Sequence, residues 1–374
     1  MGLSVGLPRM HKEAGERRDF LPGLVRWLDR AEVSEVVLEE GYGRAMGIDP
    51  DAYLEASARA RFGPHAACMD ADVVVVLRCP DPDDLRLTRE GAVLVSMLHF
   101  PTRPERLRLL ADLGVHGVSL DSVVDERGRR TVQNLEAVAW TGVREAFRQI
   151  QARHPHFDHP SRRPLHVTCL GSGAVGGYAI HAATRYGDPS LRETLVASNV
   201  PGVEVTVADF DLTWHEEYMV GRFERTDLLI DATHRVDPSR PVVPNGWLAA
   251  LPEDAVLLDL SADPYALDDV PPVTKGIEGI PQGDLDRWVF PVDHPAWDAI
   301  DPRVDSTNRR LTLSCYSWPG LDPVESMRVY GAQLEPVLRV ILEKAPGTWD
   351  LRSADHEERA VARAEVSRWT AARV

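Results

Sequence analysis

The chain reads as short apolar runs of strand length, set between polar stretches. LSVGL (3–7), VSEVVL (33–38), ADVVVVL (71–77), AVLVSM (92–97) and a shorter run at 117–120 follow one another through the first third. Between them, apolar positions recur at helical spacing at 23–31, where Leu24, Trp27 and Leu28 share a face, in a more polar stretch at 49–61, and at 104–113. Runs that are apolar throughout mark strands covered on both faces, and strands alternating with helices mark a parallel, doubly wound sheet. A long helical stretch at 134–152 and a Pro- and Arg-rich segment, HPHFDHPSRRP (154–164), read as connector and linker. The rhythm then resumes with LHVTCL (165–170), VEVTVADF (203–210), DLLIDAT (227–233), AVLLDLS (255–261) and a late run at 311–316. Helical spacing returns at 334–344 and in the charged tail 355–374, which is expected to pack on the first unit.

The turn after the strand 165–170 carries the first chemical signal. Gly171-Ser172-Gly173-Ala174-Val175-Gly176 stands between that strand and a helical pattern through Ile180 and Ala183. A strand, G-x-G-x-x-G and a helix start form the dinucleotide-binding fingerprint. Gly171 serves the tight turn, Gly173 the approach of a pyrophosphate, and Gly176 the close packing of helix on strand. Ala174 and Val175 open the helix whose N-terminal amides would face the phosphates. Asp209, at the end of the next strand, is the candidate acceptor for the ribose hydroxyls and favours NAD over NADP. It lies 38 residues after Gly171, against about 20 in the usual fingerprint. The excess, 188–201, reads as a polar insertion. Thr233, closing the strand 227–233, completes the expected cofactor contacts. The expected fold is α/β: two Rossmann-like doubly wound domains with an inter-domain cleft, the first domain discontinuous. Residues 1–150 and 320–374 would form the substrate domain, and 151–319 the NAD-binding domain.

Composition narrows the partners. A net charge of −16 argues against nucleic acid or an anionic membrane surface, since both need a basic face. No apolar run is long enough to span a bilayer, and the N-terminal stretch lacks a signal-peptide core, so a cytoplasmic protein is expected. Cys68, Cys79, Cys169 and Cys315 are scattered without metal or disulfide spacing, and His154, His156 and His159 fall in the linker. No metal site is expected. A small molecule is the expected ligand.

The order of landmarks resembles the alanine dehydrogenase and lysine-forming saccharopine dehydrogenase family over most of the chain. VGLPRMHKEAGERRDFLP is similar to that family's entry loop, EEGYGRAMGI to its glycine-bearing loop, and VVVVLRCPDPDDL with VLVSMLHF to the segment carrying its lysine and histidine. ERGRRTVQNLEAVAW and LLDLSADPY look saccharopine dehydrogenase-like, and SWPGLDP is similar to the exit from the nucleotide domain. The resemblance implies oxidative deamination of an amino acid or secondary amine with NAD. Arg17 matches the arginine that holds the substrate carboxylate, with adjacent Arg18 the second candidate. His99 matches the acid/base histidine, and Asp263 the aspartate beside nicotinamide and substrate. Related enzymes occur as monomers and as larger assemblies, so a homo-oligomer is compatible with the likeness. One position departs: Arg78 stands where the family has a lysine. A guanidinium holds an anion but does not give up its proton. Either His99 alone moves protons, or the chain reduces a preformed imine, recycles its NAD as a cyclodeaminase does, or only binds nucleotide. The aromatic and acidic stretch 275–308 also exceeds the family pattern and is expected to reshape the pocket.

Overall fold

The computed structural model describes residues 2–11, 14–100, 103–235, 237–261 and 263–371. Lys12 and Glu13 of the entry loop, Ala262 of the serine–alanine–aspartate stretch and the last three residues of the tail lie outside the described residues. The chain divides into two units, residues 1–134 with 322–374, and residues 135–321.

Unit 1 holds a six-stranded parallel sheet: β1 (Ser4–Leu7), β2 (Glu35–Glu39), β3 (Ala60–Gly63), β4 (Val73–Arg78), β5 (Val93–Met97) and β6 (His116–Ser119), in the order 3-2-1-4-5-6. Its helices are α1 (Pro22–Arg30), α2 (Pro50–Ala56), α3 (His65–Met69), α4 (Pro82–Leu85) and α5 (Pro104–Asp112). β4 shows why VVVV is a strand and not a helix. Val73, Val75 and Leu77 enter one apolar layer with α1, while Val74 and Val76 enter the opposite layer with Leu107 and Leu110 of α5. Each of the five apolar side chains, Val73 to Leu77, is buried on one face or the other, the condition of a sheet wound on both sides.

Unit 2 opens with α6 (Leu135–Arg153) and holds β7 (Leu165–Leu170), α7 (Ala174–Ala183), α8 (Pro189–Ala197), β8 (Val203–Ala208), α9 (Glu216–Phe223), β9 (Leu228–Asp231), β10 (Val256–Asp259), β11 (Val289–Phe290) and β12 (Leu311–Ser314). The strand order is 11-12-10-9-7-8, parallel except for the antiparallel β11. The chain then returns to unit 1 as α10 (Pro323–Glu343), α11 (His356–Ala364) and α12 (Val366–Ala371).

Several sequence expectations need correction. The polar helix expected at 49–61 stops at Ala56, because Ser57 takes extended backbone dihedrals, and 60–63 becomes the edge strand β3. The insertion 188–201 is largely helical: Asp188 caps α8 by accepting from the amides of Ser190 and Leu191, and Pro189 fills the first turn. The helix expected at 334–344 begins at Pro323. Asp322 caps its first turn, accepting from Glu325 N at 3.4 Å. The domain boundary, expected at 150, falls at 134. Ala139, Val143, Ala146, Phe147 and Ile150 of α6 share a core with β7, β9 and β10, and a Cβ on Gly142 would stand 2.5 Å from Leu260. The linker 154–164 is likewise fastened to unit 2, since Arg162 is buried and donates to Phe157 O at 2.7 Å and Tyr186 Oη at 3.1 Å.

Candidate functional site

The glycine turn of unit 2 fits the dinucleotide reading at each position. Gly171 has φ +85°, a conformation that disfavours any side chain. A Cβ on Gly176 would come within 2.1 Å of Gly171 O, so helix and turn touch backbone to backbone. Gly173 has open space where its Cβ would be and caps α7 without a side-chain bond. Ala174 and Val175 are the first residues of α7, with N–H groups that the helix itself cannot satisfy. The turn lies between β7, β8 and β9, where the order 8-7-9 reverses the direction of winding, the place at which such sheets bind ligands. Asp209 follows β8 directly. Ser172 of the glycine turn donates its hydroxyl to the Asp209 carboxylate, which also accepts from Phe210 N at 2.8 Å. These bonds, Ser172 first, hold the Asp209 carboxyl below its ordinary range, so it is ionised and an acceptor. Phe210 and Trp214 beside it are exposed aromatic surfaces.

Thr233 points elsewhere. Its amide and hydroxyl donate to Asp231 Oδ1 at 3.0 and 2.7 Å, beneath the carboxyl ends of β9 and β10. Asp231 is wholly buried, and burial together with the neighbouring Asp259 pushes its carboxyl upward. Lys275, also wholly buried, donates from Nζ to Asp259 Oδ2 at 2.7 Å and to Gln282. Ser314 Oγ donates to the same carboxylate at 2.9 Å, and Ser261 Oγ to Asp259 Oδ1 at 2.9 Å. Gly276 cannot be anything larger, because its Cβ would stand 2.0 Å from Asp231 Oδ2. Asp263, beyond β10, is partly exposed and accepts from Arg235 Nη2 at 2.6 Å. Sequence reasoning passed over Arg235 and Lys275. Lys275 is one of the few lysines in the chain and directly precedes a glycine, a signal visible only in retrospect.

The remaining candidates stand on the carboxyl edge of unit 1. Arg78 closes β4, where the pairing with β5 shifts register between Val75 and Arg78 and re-aims the strand end. Arg17 is exposed, whereas Arg18 is buried. Arg18 donates from Nε and Nη2 to the two oxygens of buried Glu16, at 2.9 and 2.5 Å. Burial raises the Glu16 carboxyl, but Arg18, with a contribution from Arg78, brings it below its ordinary range. Tyr330 of α10, buried, feels both guanidiniums: burial raises its phenol and the two charges oppose that shift.

His99 follows β5 with φ 52°, a left-handed conformation that is tolerated where neighbours enforce it. Its amide donates to Asp121 Oδ1 at 3.1 Å, and its Nδ1 lies 3.6 Å from Asp121 Oδ2. Ser119 fixes that carboxylate with a 2.8 Å bond. About half of the imidazole is exposed. Desolvation lowers its pKa, Arg106, Arg130 and Arg78 push the same way, and Asp121 opposes them. The ring is therefore kept neutral while a buried carboxylate orients it, the state a proton acceptor needs. Asp121 was not anticipated, because its role depends on folding β6 beside β5.

The geometry describes a protein with two Rossmann-like units, one carrying a dinucleotide turn and the other a cationic edge with an oriented histidine. The comparisons agree with the two-unit fold. Residues 6–139 match the family model of the alanine dehydrogenase/PNT N-terminal domain. Alanine dehydrogenase of Bacillus subtilis is 30% identical over 125 residues, which are 33% of this chain and 32% of that protein. Alanine dehydrogenase of Mycobacterium tuberculosis is 24% identical over 277 residues, covering 70% of this chain and 73% of the relative. A solved L-alanine dehydrogenase superposes with a TM-score of 0.73 at 18% identity, over the full length of both chains. The chain is alanine dehydrogenase-like. Among the described residues no helix is long and apolar enough to cross a membrane.

Proposed function

We propose that this protein is an NAD-dependent oxidoreductase acting on the C–N bond of an amino acid or an opine-like secondary amine. The observation that carries the reading is His99, neutral, oriented by Asp121 and flanked by guanidiniums on the edge of unit 1. NAD would be held by the 171–176 turn and Asp209 and, when bound, accepts the hydride of the substrate Cα. Arg17 and Arg78 bind the substrate carboxylate, the planar fork of each suited to two oxygens. Arg18 acts differently. Bound to Glu16, it pins the loop that presents Arg17. With Nδ1 turned to Asp121, His99 takes up at Nε2 the proton of the water that attacks the imine carbon. Asp263, held by Arg235, orients the reacting centre. The ERGRR and SADPY stretches favour a saccharopine-type substrate over alanine.

The test is an NADH oxidation assay with a panel of 2-oxo acids, each with ammonia or with an amino acid as amine donor. Turnover on a 2-oxo acid with an amino acid partner is expected. NADH binding without turnover on any pair would replace this reading by a nucleotide-binding one, which Arg78 in place of lysine favours. Arg78→Lys sharpens the result, because a gain of simple deamination would show that the guanidinium restricts the enzyme to another amine.

A further inference from the structure

The carboxyl edge of unit 1 gathers a second set of groups besides Arg78 and His99. His11 follows β1, Glu39 ends β2 and His65 starts α3. His11 Nε2 lies 2.6 Å from Glu39 Oε1, and His65 Nδ1 lies 2.8 Å from Glu39 Oε2. The three donor atoms all fall within 4.8 Å of one another. Glu39 is buried, His65 is partly covered and half of His11 is open to solvent. The two rings meet edge to face at 5.4 Å. On its other side, His65 Nε2 lies 3.3 Å from Asp84 Oδ1.

We propose that His11, Glu39 and His65 form a binding site for one divalent transition-metal ion, with Zn2+ the best match. Three arguments support it. His65 presents both ring nitrogens to carboxylates, Nδ1 to Glu39 and Nε2 to Asp84. A cation between Nδ1 and Glu39 would leave Nε2 to Asp84, the arrangement in which a carboxylate orients a ligating histidine. Charge points the same way: Glu39, Asp84 and nearby Asp19 bring three carboxylates to this corner, and Arg9 is the guanidinium set against Asp19. Finally, two imidazoles and one carboxylate suit zinc and its neighbours in the first row, not magnesium or calcium, and the exposed side of His11 leaves a position for water. Tetrahedral coordination at about 2.0–2.1 Å sets donors roughly 3.3 Å apart, so each imidazole needs to move from Glu39 by less than about 1 Å to admit the ion. The ion would tie the loop after β1, the end of β2 and the start of α3 together, at the base of the loop that carries Glu16 and Arg18. It takes no part in the proposed reaction.

The experiment uses the full chain, stripped with a chelator and titrated with Zn2+ and with Co2+. One equivalent should bind, the Co2+ form should show the intense visible absorption of a tetrahedral site, and the melting temperature should rise by at least about 4 °C. His11→Ala, chosen because the ring is half exposed and its loss spares the core, and His65→Ala should each lower affinity at least about 100-fold, while Asp84→Asn lowers it about 10- to 100-fold. Affinity for NADH should stay within about twofold in all of them. The double variant His156→Ala/His159→Ala should bind as the parent does. Equal binding by parent and His11→Ala, loss of binding in the 156/159 variant, or no binding tighter than about 100 μM would overturn the proposal.

Discussion

The two units carry the same kind of sheet and opposite electrostatics. In unit 1 the part of the carboxyl edge around His99 is cationic: Arg18, Arg78, Arg106 and Arg130 surround a half-open histidine and a buried phenol. In unit 2 the same edge is acidic and mostly closed. Asp231 and Asp259 are buried under it, with Lys275 and serine hydroxyls placed against them. Strand order differs as well, 3-2-1-4-5-6 against 11-12-10-9-7-8, so the point where winding reverses falls beside different loops. A doubly wound sheet thus fixes where a site can be, and the side chains at strand ends decide its sign. In the buried acidic edge, Asp259 takes an internal lysine and a serine hydroxyl as partners.

That contrast can be broken from either side, beginning with the largest effect. Replacing His99 by Ala should lower kcat about 100- to 10,000-fold, with Asp121→Asn showing a smaller loss and a shifted pH profile; steady-state kinetics across pH would read both. If His99→Ala keeps its kcat, unit 1 holds no proton acceptor there. In unit 2, Lys275→Met should cost about 3–5 kcal/mol in urea unfolding, because it leaves buried carboxylates without their cation. A cost below about 1 kcal/mol would mean that the network is hydrated.

Burial pushes the Asp19 carboxyl in unit 1 up to about 6, even though Gly43 N donates to it at 2.7 Å. A carboxyl raised on folding adds stability below its unfolded value, about 3.9, and that stability is lost as pH rises through about 6. Asp19→Asn should therefore gain on the parent between about pH 4 and 6, by about 2–3 kcal/mol at most. Unfolding curves at stepped pH would show it, and a constant difference across that window would refute the assignment. Asp231, raised in the same direction, gives unit 2 a dependence of the same sign. The smallest expected effect is at Asp209: its replacement by Ala should weaken NADH about tenfold and narrow the gap to NADPH, readable by fluorescence titration.

The buried strands were legible because both their faces are covered: LHVTCL matches β7 to the residue, and VVVV left no other choice. β3 was not, since ARFG is an edge strand paired on one side only and carries two polar-compatible positions. The glycine turn could be read from its spacing, and Asp209 as a candidate from its place at a strand end, despite lying 38 residues after Gly171. Asp121, Arg235, Lys275 and Tyr330 could not. Each acts on a partner far along the chain, and nothing in its neighbours' periodicity announces that. Arg17 and Arg18 show the limit within one dipeptide: sequence supplied both guanidiniums, and only the fold decided which is tied to Glu16.

The return of the chain to unit 1 has a consequence for biosynthesis. Met327, Leu334, Leu338, Ile341, Trp349 and Val361 belong to the same apolar layer as β1, β2 and α1, so that layer stays open during synthesis until residue 361 has emerged. Residues 135–321 need nothing from outside their own span to close a core. Residues 135–321 can therefore close their core first, while residues 1–134 wait for the helices after Asp322 to emerge.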